Sequence, residues 1–93
     1  MRTWEDLKNE AKQNNEIIKN DIEEIEMIAT IINAIIDRRN ELGISQRDLA
    51  ERCGLPQSSI ARIEAYSVQP KIGTLVKIMI PLGLELKANQ VNL

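Results

Sequence analysis

Residues 45–64 read SQRDLAERCGLPQSSIARIE. Two short helix-forming runs flank a three-residue break, Gly54-Leu55-Pro56, and the polar stretch Gln57-Ser58-Ser59 follows the proline directly. Ser45 can cap the first run, and Asp48, three residues on, supports its first turn. Leu49, Ala50 and Cys53 recur at helical spacing and form its inward face. Gly54 stops the run, because glycine takes a positive φ without a steric penalty. Pro56 has no backbone donor to lose, so it fits the turn ahead of a second helix. That helix is expected from Gln57 to Ala65, turned inward through Ile60 and Ile63. The remaining face holds Gln57, Ser58, Ser59, Ala61 and Arg62, and carries no carboxylate.

Working outward, apolar residues recur without pause from Ile18 to Leu42. Ile18, Ile22, Ile25, Ala29, Ile32 and Ile36 share one stripe, with Ile28, Ile31 and Ile35 beside it as apolar surface to spare. The pattern fits one long helix or two broken near Glu26-Met27, and Gly43 ends it at a natural C′ position. Ahead of it, Thr3 and Asp6 can cap a first helix through Trp4, Leu7 and Ala11. Gln13-Asn14-Asn15 interrupts that pattern, and Asn15 can cap the helix after it. Beyond residue 64, Ser67 to Pro70 is a loop. Ile72, Leu75, Met79 and Leu82 then form a helical stripe, with Ile78 and Ile80 off its core face. Pro81 and Gly83 close that helix, and the alternation Leu84-Glu85-Leu86-Lys87 predicts a short strand. The organisation is an all-α domain at residues 27–83, preceded by an acidic helical arm at 1–26 and followed by a strand or tail at 84–93.

With 93 residues, 43 % of them hydrophobic, the chain is long enough for one compact domain. There is no Phe, one Trp and one Tyr, so Ile, Leu and Ala must fill the core. The absence of His and the presence of a single Cys exclude an intrachain disulfide and a zinc site. Cys53 reads as a small buried hydrophobe. No Gly-rich loop or catalytic motif frames the carboxylates, so neither an enzyme nor a cofactor is expected. No apolar run reaches about 18 residues, so no membrane span is expected. The opening MRTWEDLKNE is mixed-charge and amphipathic, unlike a secretory signal, which points to the cytoplasm. Charge is uneven. Residues 1–37 hold four basic and nine acidic side chains, and residues 38–93 hold eight basic and five acidic ones. A pI of about 5.1 argues against indiscriminate nucleic-acid binding. The asymmetry fits a modestly basic module on an acidic arm.

A helix that reads DNA must project its outer face into the major groove while another helix braces it. The break at Gly54, the small Ala50 at the crossing and the anchors Leu49, Leu55, Ile60 and Ile63 meet that requirement. Residues 38–83 resemble the Cro/lambda-repressor-like (Xre-type) helix-turn-helix family in three pieces: RRNELGISQRDLAERCGL, PQSSIARIE and QPKIGTLVKIMIPLG. Gln46, Ala50, Gly54, Ile60 and Glu64 stand at the family's spacing. The resemblance implies a lambda-repressor-like all-α fold and a double-stranded DNA operator as partner. It implies that Gln57, Ser58 and Arg62 face base edges, and that Ser45, Gln46, Arg47, Ser59, Tyr66 and Lys71 lie near phosphates. Arg39 and Glu64 match a pair that forms an internal salt bridge. Because one recognition helix reads only a few base pairs, a homodimer is expected.

Two positions depart from the family pattern. Tyr66 stands where glycine is usual at the end of the recognition helix, and its hydroxyl is free to pack or to meet a phosphate. Lys71 replaces a Ser or Thr cap, so the next helix starts weakly. The outer segments, with Thr3-Trp4-Glu5-Asp6-Leu7-Lys8 at one end and Leu82-Gly83-Leu84-Glu85-Leu86-Lys87 at the other, resemble HigA-type antitoxins of bacterial type II toxin–antitoxin modules. That resemblance implies repression of the protein's own operon and binding of a basic RelE-like toxin. The alternative is a stand-alone or phage-type regulator without a toxin.

Overall fold

The computed structural model describes Thr3, Glu5 and residues 16–91, with side chains from residue 20 onward. The expected first helix through Trp4, Leu7 and Ala11, the Asn15 cap and the Ile18 side chain lie outside the described residues. Within them the order is α1 (Glu16–Glu41), α2 (Gln46–Cys53), α3 (Gln57–Glu64), α4 (Ile72–Met79) and a 3-10 turn, Ile80–Leu82. The chain divides into two units, Met1–Thr30 and Ile31–Leu93, the boundary falling within α1.

In the first unit, α1 runs unbroken through Glu26-Met27, where two helices were an open alternative. Ile22 is buried, whereas Ile25 and Met27 are exposed, as are Asp21, Glu23 and Glu24.

In the second unit, the core gathers Ile32 and Ile35 of α1, Leu49, Ala50 and Cys53 of α2, Ile60 and Ile63 of α3, and Leu75, Ile78, Met79 and Leu82 from the last helix and turn. α2 packs against α3, and α4 and the 3-10 turn pack against α2. Three side chains change places relative to the sequence reading. Ile35 and Ile78, expected off the core, are 1 % exposed, whereas Ile72, expected inside, is 67 % exposed. The inward stripe of the last helix is Leu75, Ile78, Met79 and Leu82, and Ile72, the first residue of that helix, lies in solvent one turn ahead of it. The strand expected at Leu84–Lys87 does not form: residues 84–91 carry no regular structure, and no strand occurs among the described residues. A strand needs a neighbouring ladder, and none of the described elements supplies one.

Four helical stops share one hydrogen-bond pattern. At the end of α2, the Leu55 N–H donates to the Ala50 carbonyl at 3.0 Å and the Gly54 N–H to the Glu51 carbonyl at 3.4 Å, with Gly54 at φ 68°. This is the Schellman arrangement, whose C′ residue is left-handed. Gly43 and Gly83 close α1 and the 3-10 turn in the same way. The stop after α3 has the same bonds, Ser67 N–H to the Arg62 carbonyl and Tyr66 N–H to the Ile63 carbonyl, both 3.0 Å, but its C′ residue is Tyr66 at φ 58°.

Candidate nucleic-acid interface

Helix α3 buries Ile60 and Ile63, and this phase turns Gln57, Ser58 and Arg62 to solvent. Ser58 and Arg62 are four residues apart and so are neighbours on the helix surface. Ser59 and Ala61 lie half-buried at the edges of this face. The α3 N-cap is Pro56, which gives no side-chain cap, and the first turn holds no acidic residue. The Ser59 and Ile60 N–H groups turn back to the Pro56 carbonyl at 3.0 and 3.4 Å. The positive end of α3 and its uncharged polar side chains therefore share one surface.

Below this face lies a charged clamp. The Arg39 Nε donates to Glu64 Oε2 and its Nη2 to Glu64 Oε1, both at 2.8 Å. The third guanidinium nitrogen, Nη1, donates to the Ile44 carbonyl at 2.9 Å. The two side chains are 14 % and 7 % exposed. The Glu64 carboxylate, by its hydrogen bonds first and its charge as well, holds the Arg39 pKa above its ordinary value despite the opposing effect of burial. Gln46 Nε2 donates to Glu64 Oε1 at 3.2 Å. One carboxylate thus ties the end of α3 to the last turn of α1 and to the first residue of α2.

Around the rim, Ser45 caps α2 in a complete capping box. Its Oγ accepts from the Asp48 N–H at 3.0 Å and its own N–H donates to Asp48 Oδ2 at 3.2 Å. These bonds, backbone first, hold the Asp48 carboxyl below its usual range. They leave the Ser45 hydroxyl proton free to donate outward. Arg47 is exposed and lies 3.7 Å from Glu51 Oε1. Lys71 is the N-cap of α4 and makes no side-chain cap bond.

Two rim residues are engaged in ways the sequence did not show. The Gln46 amide points inward to Glu64, yet its nitrogen keeps a second hydrogen. The Tyr66 hydroxyl donates to the Asn33 side-chain oxygen. Asn33 was not legible as its partner, because nothing in the spacing links two polar residues 33 positions apart. The same applies to Arg38, whose Nε donates to the Leu82 carbonyl at 3.0 Å.

Among the described residues no group of three or more His, Cys, Asp or Glu side chains could hold a metal ion. No helix among them is long and apolar enough to cross a membrane.

Comparison with known proteins agrees with this geometry. Over 63 residues, 68 % of this chain and 64 % of the relative, the sequence is 40 % identical to an uncharacterized HTH-type transcriptional regulator of Haemophilus influenzae. Over 48 residues, 52 % of this chain and 26 % of the relative, it is 46 % identical to the HTH-type transcriptional regulator PuuR of Escherichia coli. The match thus spans less than two thirds of either relative. Among solved structures, a chain of the toxin–antitoxin module from Streptococcus pneumoniae is similar with a TM-score of 0.71 and 32 % identity, covering 98 % of this chain and 96 % of that one. The helix-turn-helix family pattern matches residues 35–88, the stretch that holds the clamp and the exposed face of α3, and the chain belongs to that family, in its Xre-type branch.

Proposed function

We propose that the protein is a sequence-specific DNA-binding transcriptional repressor that works as a homodimer, and that it is the HigA-type antitoxin of a type II toxin–antitoxin module. The observation that carries the DNA reading is the exposed, carboxylate-free face of α3 over the Arg39–Glu64–Gln46 clamp. In this reading Gln57 pairs with adenine and Arg62 with guanine in the major groove, and Ser58 adds a hydroxyl contact. Ser45, Gln46, Arg47, Ser59 and Lys71 hold phosphates and set the register without reading sequence.

The antitoxin reading is supported by the likeness to the Streptococcus pneumoniae chain, which extends over nearly the whole of both chains. Exposed Asp21, Glu23 and Glu24, beside exposed Ile25 and Met27, give α1 an acidic and apolar surface suited to a basic RelE-like ribonuclease. The protein would then repress its own operon and neutralise the toxin encoded beside it. A second reading, a regulator with no toxin partner, is favoured by the names of the two relatives, both transcriptional regulators.

A gel shift with the DNA upstream of the protein's own gene, at low and moderate salt, tests the first half. Retention of that fragment over an unrelated one is expected, and equal weak binding to both refutes it. Co-expression with the small basic protein of the adjacent reading frame tests the second half. A stable complex lost on deleting residues 1–26 is expected, and failure of the two proteins to associate supports the regulator without a toxin.

A further inference from the structure

Among the described residues, Tyr66 alone takes a left-handed backbone without being glycine, at φ 58°. An L side chain is strained there, and glycine would make the same turn freely. Tyr66 is 51 % exposed and takes no part in the core. What glycine lacks is the hydroxyl that donates to the Asn33 side-chain oxygen on α1. That bond is a second grip of α1 on the end of α3, the first being Arg39 on Glu64. Asn33 and Arg39 are six residues apart, about 9 Å along the helix axis. A single grip leaves the held end free to swivel about it, and a second, offset grip removes that freedom. The backbone carries this restraint to Arg62. The carbonyls of Ala61, Arg62 and Ile63 accept from the N–H groups of Ala65, Ser67 and Tyr66, each at 3.0 Å. Ser67 Oγ donates to the Arg62 carbonyl as well, at 3.0 Å. Arg62 is therefore carried by the segment that Tyr66 anchors, and its long, exposed side chain amplifies any tilt of that segment.

We propose that Asn33 and Tyr66 are positioning residues for DNA reading: their hydrogen bond fixes the aim of Arg62 without either residue touching a base. Bidentate pairing of a guanidinium with guanine is directional. A group with that task has to be held within about 0.5 Å of its productive place by side chains that are themselves fixed. With the Asn33–Tyr66 bond broken, Arg62 still reaches the groove but samples a wider spread of directions, so discrimination falls. Phosphate contacts carry no sequence information, and total binding falls less.

This inference rests on the DNA reading and on the place of Arg62 in it. The test is a titration of the DNA upstream of the protein's own gene, and of an unrelated fragment, with wild type, Asn33→Ala and Tyr66→Phe. Neither change touches the core: alanine suits an exposed helix position, and phenylalanine removes only the hydroxyl. Each should lower the ratio of upstream to unrelated affinity by about threefold to tenfold. The double variant N33A/Y66F should lose no more than either single one, because both remove the same bond. In an Arg62→Ala background the same changes should leave the ratio alone, which a general loosening of the fold would not do. Tyr66 is the only tyrosine in the chain, so its ring carbon resonances report the bond directly and should move in Asn33→Ala. Additive losses, an unmoved tyrosine resonance or a loss that persists without Arg62 would each overturn the proposal. So would an Asn33→Ala protein with the wild-type ratio, and that result leaves the DNA reading intact. Tyr66→Phe weakening both fragments alike, with Asn33→Ala silent, would make Tyr66 a phosphate contact and overturn it too. A wild type that holds both fragments equally removes the DNA reading itself, and the positioning role with it.

Discussion

Replacing Glu64 by Ala removes the carboxylate that three elements share. Arg39 would lose two 2.8 Å hydrogen bonds and its counter-charge, keeping only the 2.9 Å bond to the Ile44 carbonyl. Gln46 would lose its 3.2 Å bond. Breaking a fully buried pair by removing one partner costs about 3–5 kcal/mol. The Arg39 side chain retains 14 % of its exposure and one acceptor, which lowers the expectation to about 2–4 kcal/mol. In a domain of this size each kcal/mol moves the melting temperature by about 4–8 °C, so a fall of more than about 10 °C is expected. Circular dichroism melts and urea titrations of wild type, Glu64→Ala, Glu64→Gln and Gln46→Ala should rank them. Glu64→Gln keeps one neutral acceptor for Arg39 and should fall in between, and Gln46→Ala should cost only about 0.5–1.5 kcal/mol. Well below the melting point, operator affinity of Glu64→Ala should stay close to wild type, because Glu64 faces the protein and not the groove. A Glu64→Ala protein that melts within a few degrees of wild type would show the clamp to be hydrated and of little consequence. Intact stability with lost DNA binding would make Glu64 part of the DNA-reading surface and refute its structural role.

Three further outcomes are expected. Arg62→Ala should weaken specific DNA binding by about 1–3 kcal/mol and relax preference at one base pair per half-site, whereas Lys71→Ala and Arg47→Ala should weaken all sequences alike and reduce the salt dependence; titrations on operator and scrambled DNA at several salt concentrations decide this. At the two left-handed stops the signs should oppose: Gly54→Ala should destabilise by about 1–2 kcal/mol, and Tyr66→Gly should be more stable than Tyr66→Ala by about the same amount, measured by urea unfolding. Because the Asp48 carboxyl is held below its ordinary value in the folded protein, its contribution is present above the unfolded pKa and is lost as pH falls through the folded one, so acid unfolding followed by circular dichroism should be less steep below about pH 4 in Asp48→Asn than in wild type.

The elements legible in the sequence are those whose ends are written in local chemistry. Ser45 and Asp48 announce the start of α2, and Gly54 with Pro56 announces the gap before α3. The inward phase of α3 follows from Ile60 and Ile63, because the rest of that helix is polar. The last helix resists the same reading. In IGTLVKIM apolar side chains occupy two stripes, and the phase is chosen only by which stripe meets α2, so Ile72 and Ile78 exchange roles. The alternation at Leu84–Lys87 points to a strand that does not form, because alternation records what a segment can pair with, not whether a partner lies in the same chain. On the candidate site, the outward set Gln57, Ser58 and Arg62 follows from helical phase alone. The further engagement of Gln46 and Tyr66 does not, since each depends on a side chain brought close by the tertiary fold.

Arg38 and Arg39 are adjacent, yet they reach to different parts of the chain. One grips the Leu82 carbonyl, 44 residues on, and the other grips Glu64, 25 residues on. A single helical turn therefore closes two loops at once. The larger loop adds little chain entropy over the smaller, because that cost grows only with the logarithm of length. Fraying of that turn releases both grips together, so α3 and the C-terminal turn should open as one cooperative unit rather than independently. The α3 amides, on a short helix, thereby share the hydrogen-exchange protection of a segment nearly twenty residues further along the chain.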